Sequence, residues 1–171
     1  MNTYFYKVKS PFSEEEISQL EDMAKSHEND FFDCLTHKGY KDGNRVYIPE
    51  QTVIEKYLEK FPQGCWGGWL WHKAGTEVIK HRDNIINKQN PNKRLSVFVQ
   101  PLFDSCKNHP CYFWESKEST EPVAICDYDD ACIINTQEFH SVPNITTDRI
   151  QFQISFPFNI NESINYLEIR D

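Results

Sequence analysis

Arg149-Ile150-Gln151-Phe152-Gln153-Ile154-Ser155-Phe156 alternates polar and apolar residues along its whole length, the period of two that marks a strand with unlike faces. Arg149, Gln151, Gln153 and Ser155 share one of those faces. A solvated outer face would explain such a stripe. An Arg, however, presents a rigid fork that matches a carboxylate through paired hydrogen bonds and suits a partly desolvated pocket. The short step from His140 to Arg149 favours the pocket and points to a carboxylate-bearing co-substrate.

Working back from this strand, His140 sits where the apolar run Ile133-Ile134 gives way to a polar connection, Asn135-Thr136-Gln137-Glu138, and then to a second extended run, Phe139-His140-Ser141-Val142. Further upstream lies His81-Arg82-Asp83. Side chains two apart on an extended strand point the same way, so His81 and Asp83 can chelate one ion while Arg82 faces the opposite side. A His-x-Asp alone is a weak signal. With His140 as a third ligand from a distant strand, it completes the two-His, one-carboxylate facial triad, which holds Fe(II) on one face and leaves positions for substrate and dioxygen.

The remaining strands are expected at Trp66 to His72, Thr76 to His81, Leu95 to Leu102, Cys111 to Glu115, Pro122 to Cys126, Ala131 to Asn135 and Asp148 to Phe156, with a first strand at the N-terminus. Ahead of them, Ser13-Glu14-Glu15-Glu16 is a capping box, and Phe12 and Ile17 are placed as a hydrophobic staple. Ile17, Leu20, Met23 and Ala24 then form an apolar stripe that predicts a helix over 14–25. A second helix is expected from Glu50 to Lys60, with Val53, Ile54, Tyr57, Leu58 and Phe61 inward and Pro62 as its stop. Helices followed by many spaced strands fit a mainly β fold, with flanking helices packed against one sandwich or jelly roll.

From about Gly68 to Phe156 the sequence resembles the Fe(II)/2-oxoglutarate-dependent dioxygenases. The resemblance is carried by Gly75-Thr76-Glu77-Val78-Ile79-Lys80-His81-Arg82-Asp83, Arg94-Leu95-Ser96-Val97-Phe98-Val99-Gln100-Pro101-Leu102, Phe139-His140-Ser141-Val142-Pro143-Asn144 and Arg149. Their order is most similar to the aspartyl/asparaginyl β-hydroxylase branch. The resemblance implies a double-stranded β-helix, a jelly roll of the cupin kind, with iron at its open end. It implies His81, Asp83 and His140 as the iron ligands, and Arg149 as the partner of the distal 2-oxoglutarate carboxylate. It also implies that Arg94 approaches the 2-oxoglutarate end nearer the metal, beyond the insertion at 84–93. The activity implied is hydroxylation of an unactivated C–H bond of an amino acid or protein side chain, consuming dioxygen and releasing succinate and carbon dioxide. The competing class is a non-catalytic jelly-roll module that binds a metal or ligand.

Composition bounds the alternatives. A chain of 171 residues fits one domain, divided here into N-terminal helical support (1–63), a jelly-roll core (64–158) and a C-terminal extension (159–171). An aromatic content of 14% with a mean hydropathy of -0.67 describes a globular protein whose core relies on Phe, Tyr and Trp. No apolar run approaches the ~20 residues that span a bilayer, and Met1 to Lys9 lacks the features of a signal peptide. Without secretion the triplets Asn144-Ile145-Thr146 and Asn161-Glu162-Ser163 carry no glycosylation reading. A formal charge of -8, with no run of Lys and Arg, argues against a nucleic-acid partner.

The six cysteines Cys34, Cys65, Cys106, Cys111, Cys126 and Cys132 read as reduced thiols in a cytoplasmic setting. Cys106-Lys107-Asn108-His109-Pro110-Cys111 offers too few ligands at finger spacing for zinc, and a turn with thiols as small apolar fillers fits better. Asp127-Tyr128-Asp129-Asp130 lacks the glycine and terminal glutamate of a calcium loop and reads as a solvated turn. His27, His37, His72 and His109 are assigned surface or packing roles. Trp66, Trp69 and Trp71 read more readily as core than as pocket lining. Arg45 and Tyr47, in the polar stretch from Lys41, are candidates for the pocket mouth or for a solvated loop.

Overall fold

The computed structural model describes residues 3–34, 43–83 and 94–168. The insertion at 84–93, His37 and the start of the 41–47 stretch lie outside the described residues. The strands are β1 (Phe5–Lys7), β2 (Phe32–Asp33), β3 (Asn44–Tyr47), β4 (Trp66–His72), β5 (Val78–His81), β6 (Ser96–Leu102), β7 (Cys111–Trp114), β8 (Ala124–Cys126), β9 (Cys132–Asn135), β10 (Phe139–Val142) and β11 (Arg149–Phe156). The helices are α1 (Glu14–Ser26), α2 (Glu55–Leu58) and α3 (Ile160–Glu168).

Two antiparallel sheets build the double-stranded β-helix. The larger runs β1-β9-β6-β11-β4-β3-β2 and the smaller β5-β10-β7-β8. Strand β11 lies between β6 and β4, pairing along its length with both, so it is an interior strand of the sheet. Its apolar face, Ile150, Phe152, Ile154 and Phe156, joins Leu20 and Ala24 of α1, Phe12, Phe61 and Trp69 in the core behind the larger sheet. Its polar face turns inward between the sheets. Arg149, Gln151, Gln153 and Ser155 are 1%, 2%, 6% and 1% exposed, which removes the solvated-face reading of the stripe.

Local signals set the helices. Glu16 N–H donates to Ser13 Oγ at 3.2 Å and Ser13 N–H donates to Glu16 Oε2 at 2.8 Å, so the capping box forms as expected and orients α1 on the sheet. The expected helix over 50–60 is wound more tightly, as a 3₁₀ turn over Gln51–Ile54 followed by α2. Three residues per turn instead of 3.6 keeps Ile54, Tyr57 and Phe61 inward but turns Val53 out, 53% exposed, which corrects its inward assignment. In the C-terminal extension, α3 begins on a second capping box. Glu162 N–H donates to Asn159 Oδ1 at 3.1 Å and Asn159 N–H to Glu162 Oε2 at 3.0 Å.

The side chains of Trp69 and Trp71 pack in the core as expected, where the Trp69 indole N–H donates to Leu20 O at 3.1 Å. Arg45 and Tyr47 belong to neither a solvated loop nor the pocket mouth. They lie on β3 opposite Trp71 and Trp69, on the helix side of the sheet. Arg45 Nη2 donates to Phe31 O at 2.7 Å, and Tyr47 stacks between His27 and Trp69. None of the six cysteines forms a disulfide, and four of them are buried. Burial pushes the Cys111 thiol up to about 12, so it stays protonated and packs as a small apolar group. Among the described residues no helix is long and apolar enough to cross a membrane.

Candidate metal centre and anion pocket

Strands β5 and β10 pair antiparallel with His81 directly opposite His140. Residues that face each other across a sheet place their side chains within contact, and the two imidazole rings stand 4.3 Å apart, centroid to centroid. Beyond β5 the chain continues to Asp83, whose N–H donates to Thr136 O at 2.9 Å. That bond ties Asp83 to the turn leading into β10. Asp83 Oδ1 is thereby 3.4 Å from His81 Nε2 and 3.8 Å from His140 Nε2. Among the described residues, His81, Asp83 and His140 form the one cluster with metal-binding potential, with ligand atoms within 4.8 Å of one another. Arg82 projects the other way, over the Phe139 ring at 4.2 Å.

The tautomers suit metal ligation. His81 Nδ1 lies 2.7 Å from Ile79 O and His140 Nδ1 lies 2.9 Å from Glu138 O. A carbonyl only accepts, so each Nδ1 carries a proton, which leaves Nε2 of each ring as the atom that could meet an ion. Three nitrogen and oxygen donors gathered within 4.8 Å are the kind and number that could share one divalent cation.

Electrostatics prepare the same state. Burial and the neighbouring His81 push the His140 imidazole down to about 4, and the charge of Asp83 offsets only part of this. For Asp83, burial alone would raise the carboxyl. The Arg94 guanidinium and the two imidazoles outweigh it and hold Asp83 well below the usual carboxylate range. At neutral pH His140 is therefore neutral and Asp83 anionic, the forms that bind a cation.

These shifts predict how the metal-free protein responds to acid. Unfolded His140 takes a proton near its ordinary 6.5 while the folded ring waits until about 4. Between those values the unfolded state binds more protons, so stability falls as pH is lowered through this window, by up to about 3 kcal/mol from this group. Asp83 acts in the same direction at lower pH. Its contribution is present above the unfolded carboxyl value and is lost as pH falls through the depressed folded one. Urea melts from pH 7 to pH 4 should show this decline, and His140→Gln should flatten it; parallel pH profiles for the two proteins would show that His140 titrates the same way in both states.

The triad lines a cavity of about 150 Å³ whose opposite wall carries Arg149. A water needs roughly 10–15 Å³ on this scale, so the cavity admits a compact organic molecule. Arg149 comes from β11 opposite His72 of β4. Its Nη1 donates to His72 Nδ1 at 2.9 Å, and its guanidinium carbon lies 4.7 Å from the centre of the Tyr128 ring. Burial and the Arg149 charge push the His72 imidazole well below its ordinary value, so His72 is a neutral acceptor. No carboxylate pairs with Arg149 among the described residues, and its Nε has no partner. The pocket thus holds a buried cation that no acid among the described residues pairs with.

Two pocket residues had other readings in the sequence. His72 was assigned a surface or packing role, yet it lines the cavity against Arg149; only the β4–β11 register could reveal this. The 127–130 turn forms, with Asp127, Asp129 and Asp130 exposed, but Tyr128 is 2% exposed and lies beneath the guanidinium. Arg94 reaches the metal side of the cavity, with Nε 2.9 Å from Asp83 Oδ2 and Nη2 donating to Gln153 Oε1 at 2.8 Å. His109 is spent internally, bonding Ser105 O and Thr146.

Neither a protein-family model nor a curated protein matches the sequence. Solved structures do match in shape. A prolyl-4-hydroxylase from Pseudomonas putida aligns at a TM-score of 0.63 and 8% identity, covering 90% of this chain and 91% of its own. A prolyl hydroxylase from Trichoplax adhaerens, in complex with a peptide fragment of the hypoxia inducible factor oxygen degradation domain, aligns at 0.60 and 8%, covering 98% and 87%. The viral collagen prolyl hydroxylase of Paramecium Bursaria Chlorella virus-1, a 2-oxoglutarate complex, aligns at 0.56 and 12%, covering 90% and 95%. At these identities the likeness is one of fold, the double-stranded β-helix of 2-oxoglutarate oxygenases.

Proposed function

We propose that this protein is an Fe(II)- and 2-oxoglutarate-dependent oxygenase that hydroxylates an unactivated C–H bond of an amino acid or protein side chain. The observation that carries the reading is the pairing, in one cavity, of the His81, Asp83 and His140 donors with an uncancelled Arg149. The donor set fits a divalent cation on one face. The guanidinium, facing it across the cavity, fits an anion that reaches from that ion to the far wall.

Each residue then has a role. His81 and His140 would ligate through Nε2, held in one tautomer by Ile79 O and Glu138 O, and Asp83 would add a negative oxygen. The chemistry supplied by iron and 2-oxoglutarate, when bound, is activation of dioxygen coupled to decarboxylation, releasing succinate and carbon dioxide. Arg149, oriented by His72, would hold the distal carboxylate of 2-oxoglutarate by a charge-assisted fork. Val97, Ile134 and Val142 make the intervening wall apolar, which limits water and strengthens the ion pair.

The order of motifs favours the aspartyl/asparaginyl β-hydroxylase branch, whereas the solved structures described above are prolyl hydroxylases. Both branches direct the assay to amino-acid side chains. Succinate formation from 2-oxoglutarate should require Fe(II) and rise with an accepted substrate among free amino acids and Asp-, Asn- or Pro-containing peptides. Fe(II)-dependent affinity for 2-oxoglutarate with no succinate under any of these conditions would instead favour the non-catalytic binding module.

A further inference from the structure

The two oxygens of Asp83 are treated differently. Oδ1 faces the imidazoles at 3.4 Å and 3.8 Å, while Oδ2 faces Arg94 Nε at 2.9 Å. We infer that Arg94 is a positioning residue that holds Oδ2 away from the ion, so that Asp83 ligates through one oxygen and leaves a coordination position open. This rests on the oxygenase reading above and gives Arg94 a different task from the co-substrate contact that the resemblance implies.

Carboxylates chelate hard cations through one oxygen or two. A two-oxygen Asp83 would fill a position that the co-substrate or dioxygen needs. Arg94 is fixed well enough to prevent this. Its Nη2 donates to Gln153 Oε1 at 2.8 Å, and its carbonyl accepts from Thr136 Oγ1 and Gln137 Nε2, both at 3.1 Å. Asp83 N–H donates to the carbonyl of that same Thr136 at 2.9 Å, so guanidinium and carboxylate hang from one turn in fixed relation. The Nε–H does not align with Oδ2 as a directed hydrogen bond, so the contact works by charge. A guanidinium beside a cation site opposes metal affinity by Coulomb repulsion. What it can add is control of how the carboxylate binds.

The experiment uses the full chain loaded with Co(II), whose visible absorption reports coordination number, and measures Co(II) affinity, the spectrum and 2-oxoglutarate affinity separately. Arg94→Met should bind Co(II) at least as tightly as the parent, change the cobalt spectrum before any co-substrate is added, and bind 2-oxoglutarate more weakly. Arg94→Lys should return the spectrum toward the parent's. Gln153→Leu, which frees the guanidinium without removing its charge, should shift it less but in the same direction, and keeps the test open if the Met variant does not fold. An unchanged cobalt spectrum with weakened 2-oxoglutarate binding would make Arg94 a co-substrate anchor and overturn the inference. A loss of about tenfold or more in Co(II) affinity, the usual cost of removing an outer-shell partner, would also overturn it. If the parent itself binds neither Co(II) nor 2-oxoglutarate, the oxygenase reading fails, and this inference falls with it.

Discussion

Alanine at His81 or at Asp83 is expected to abolish Fe(II)-dependent succinate formation and to strip the protein of metal. Loss of outer-shell partners alone costs about 10–100-fold in metal affinity or activity, so loss of a ligand should exceed this, on the order of 10³-fold. Each variant leaves two donors where three converge. The two should differ in the metal-free fold. His81→Ala removes a ring tilted against that of His140, and its effect on stability is that of modest lost packing. Asp83→Ala leaves the Arg94 guanidinium without its carboxylate, a lost partner that costs more when the remaining charge is buried. Metal content by elemental analysis and turnover by succinate release test both substitutions. Full turnover in either variant would remove the triad from the mechanism.

What the sequence reveals about this site depends on whether each signal is local. The alternation in β11 and the i, i+2 spacing of His81 and Asp83 are properties of a few consecutive residues, and both carry directly into the structure. The opposition of His140 and His81 depends on strand pairing, but the extended runs on either side of each residue were readable. His72 has no such signal. It ends a strand rich in Trp, and its meaning comes from lying opposite Arg149 across the β4–β11 pair. Tyr128 is hidden by its neighbours, since three aspartates around an aromatic read as a turn whether or not the ring folds inward. Arg94 could be expected near the metal from the resemblance, yet its contact with Asp83 joins residues on either side of 84–93 and has no local signal. In contrast, Asn159-x-x-Glu162 carried a local cap signature for α3, and β3 was obscured because a polar stretch becomes a strand only by pairing with β4.

Arg149→Met should weaken 2-oxoglutarate binding by about 10²–10³-fold, the cost of removing one partner from a buried charged pair, while metal content stays near that of the parent. Arg149→Lys should recover part of the loss, because an ammonium keeps the charge but not the fork. The same Met variant should melt at a higher temperature than the parent when metal and co-substrate are absent. Arg149 is 1% exposed, has an unpartnered Nε and meets a neutral imidazole and an aromatic face in place of an acid. Burying a charge without an opposite one costs several kcal/mol, and a side chain of similar length and apolar character avoids that cost. Adding 2-oxoglutarate and metal should reverse the order of stability, since only the parent gains fully from a ligand bound to the folded state. A residue that served the fold would behave in the opposite way, with Arg149→Met lowering the melting temperature in both conditions. The crossing of the two melting curves on ligand addition therefore tests whether the buried positive charge is held for an incoming carboxylate.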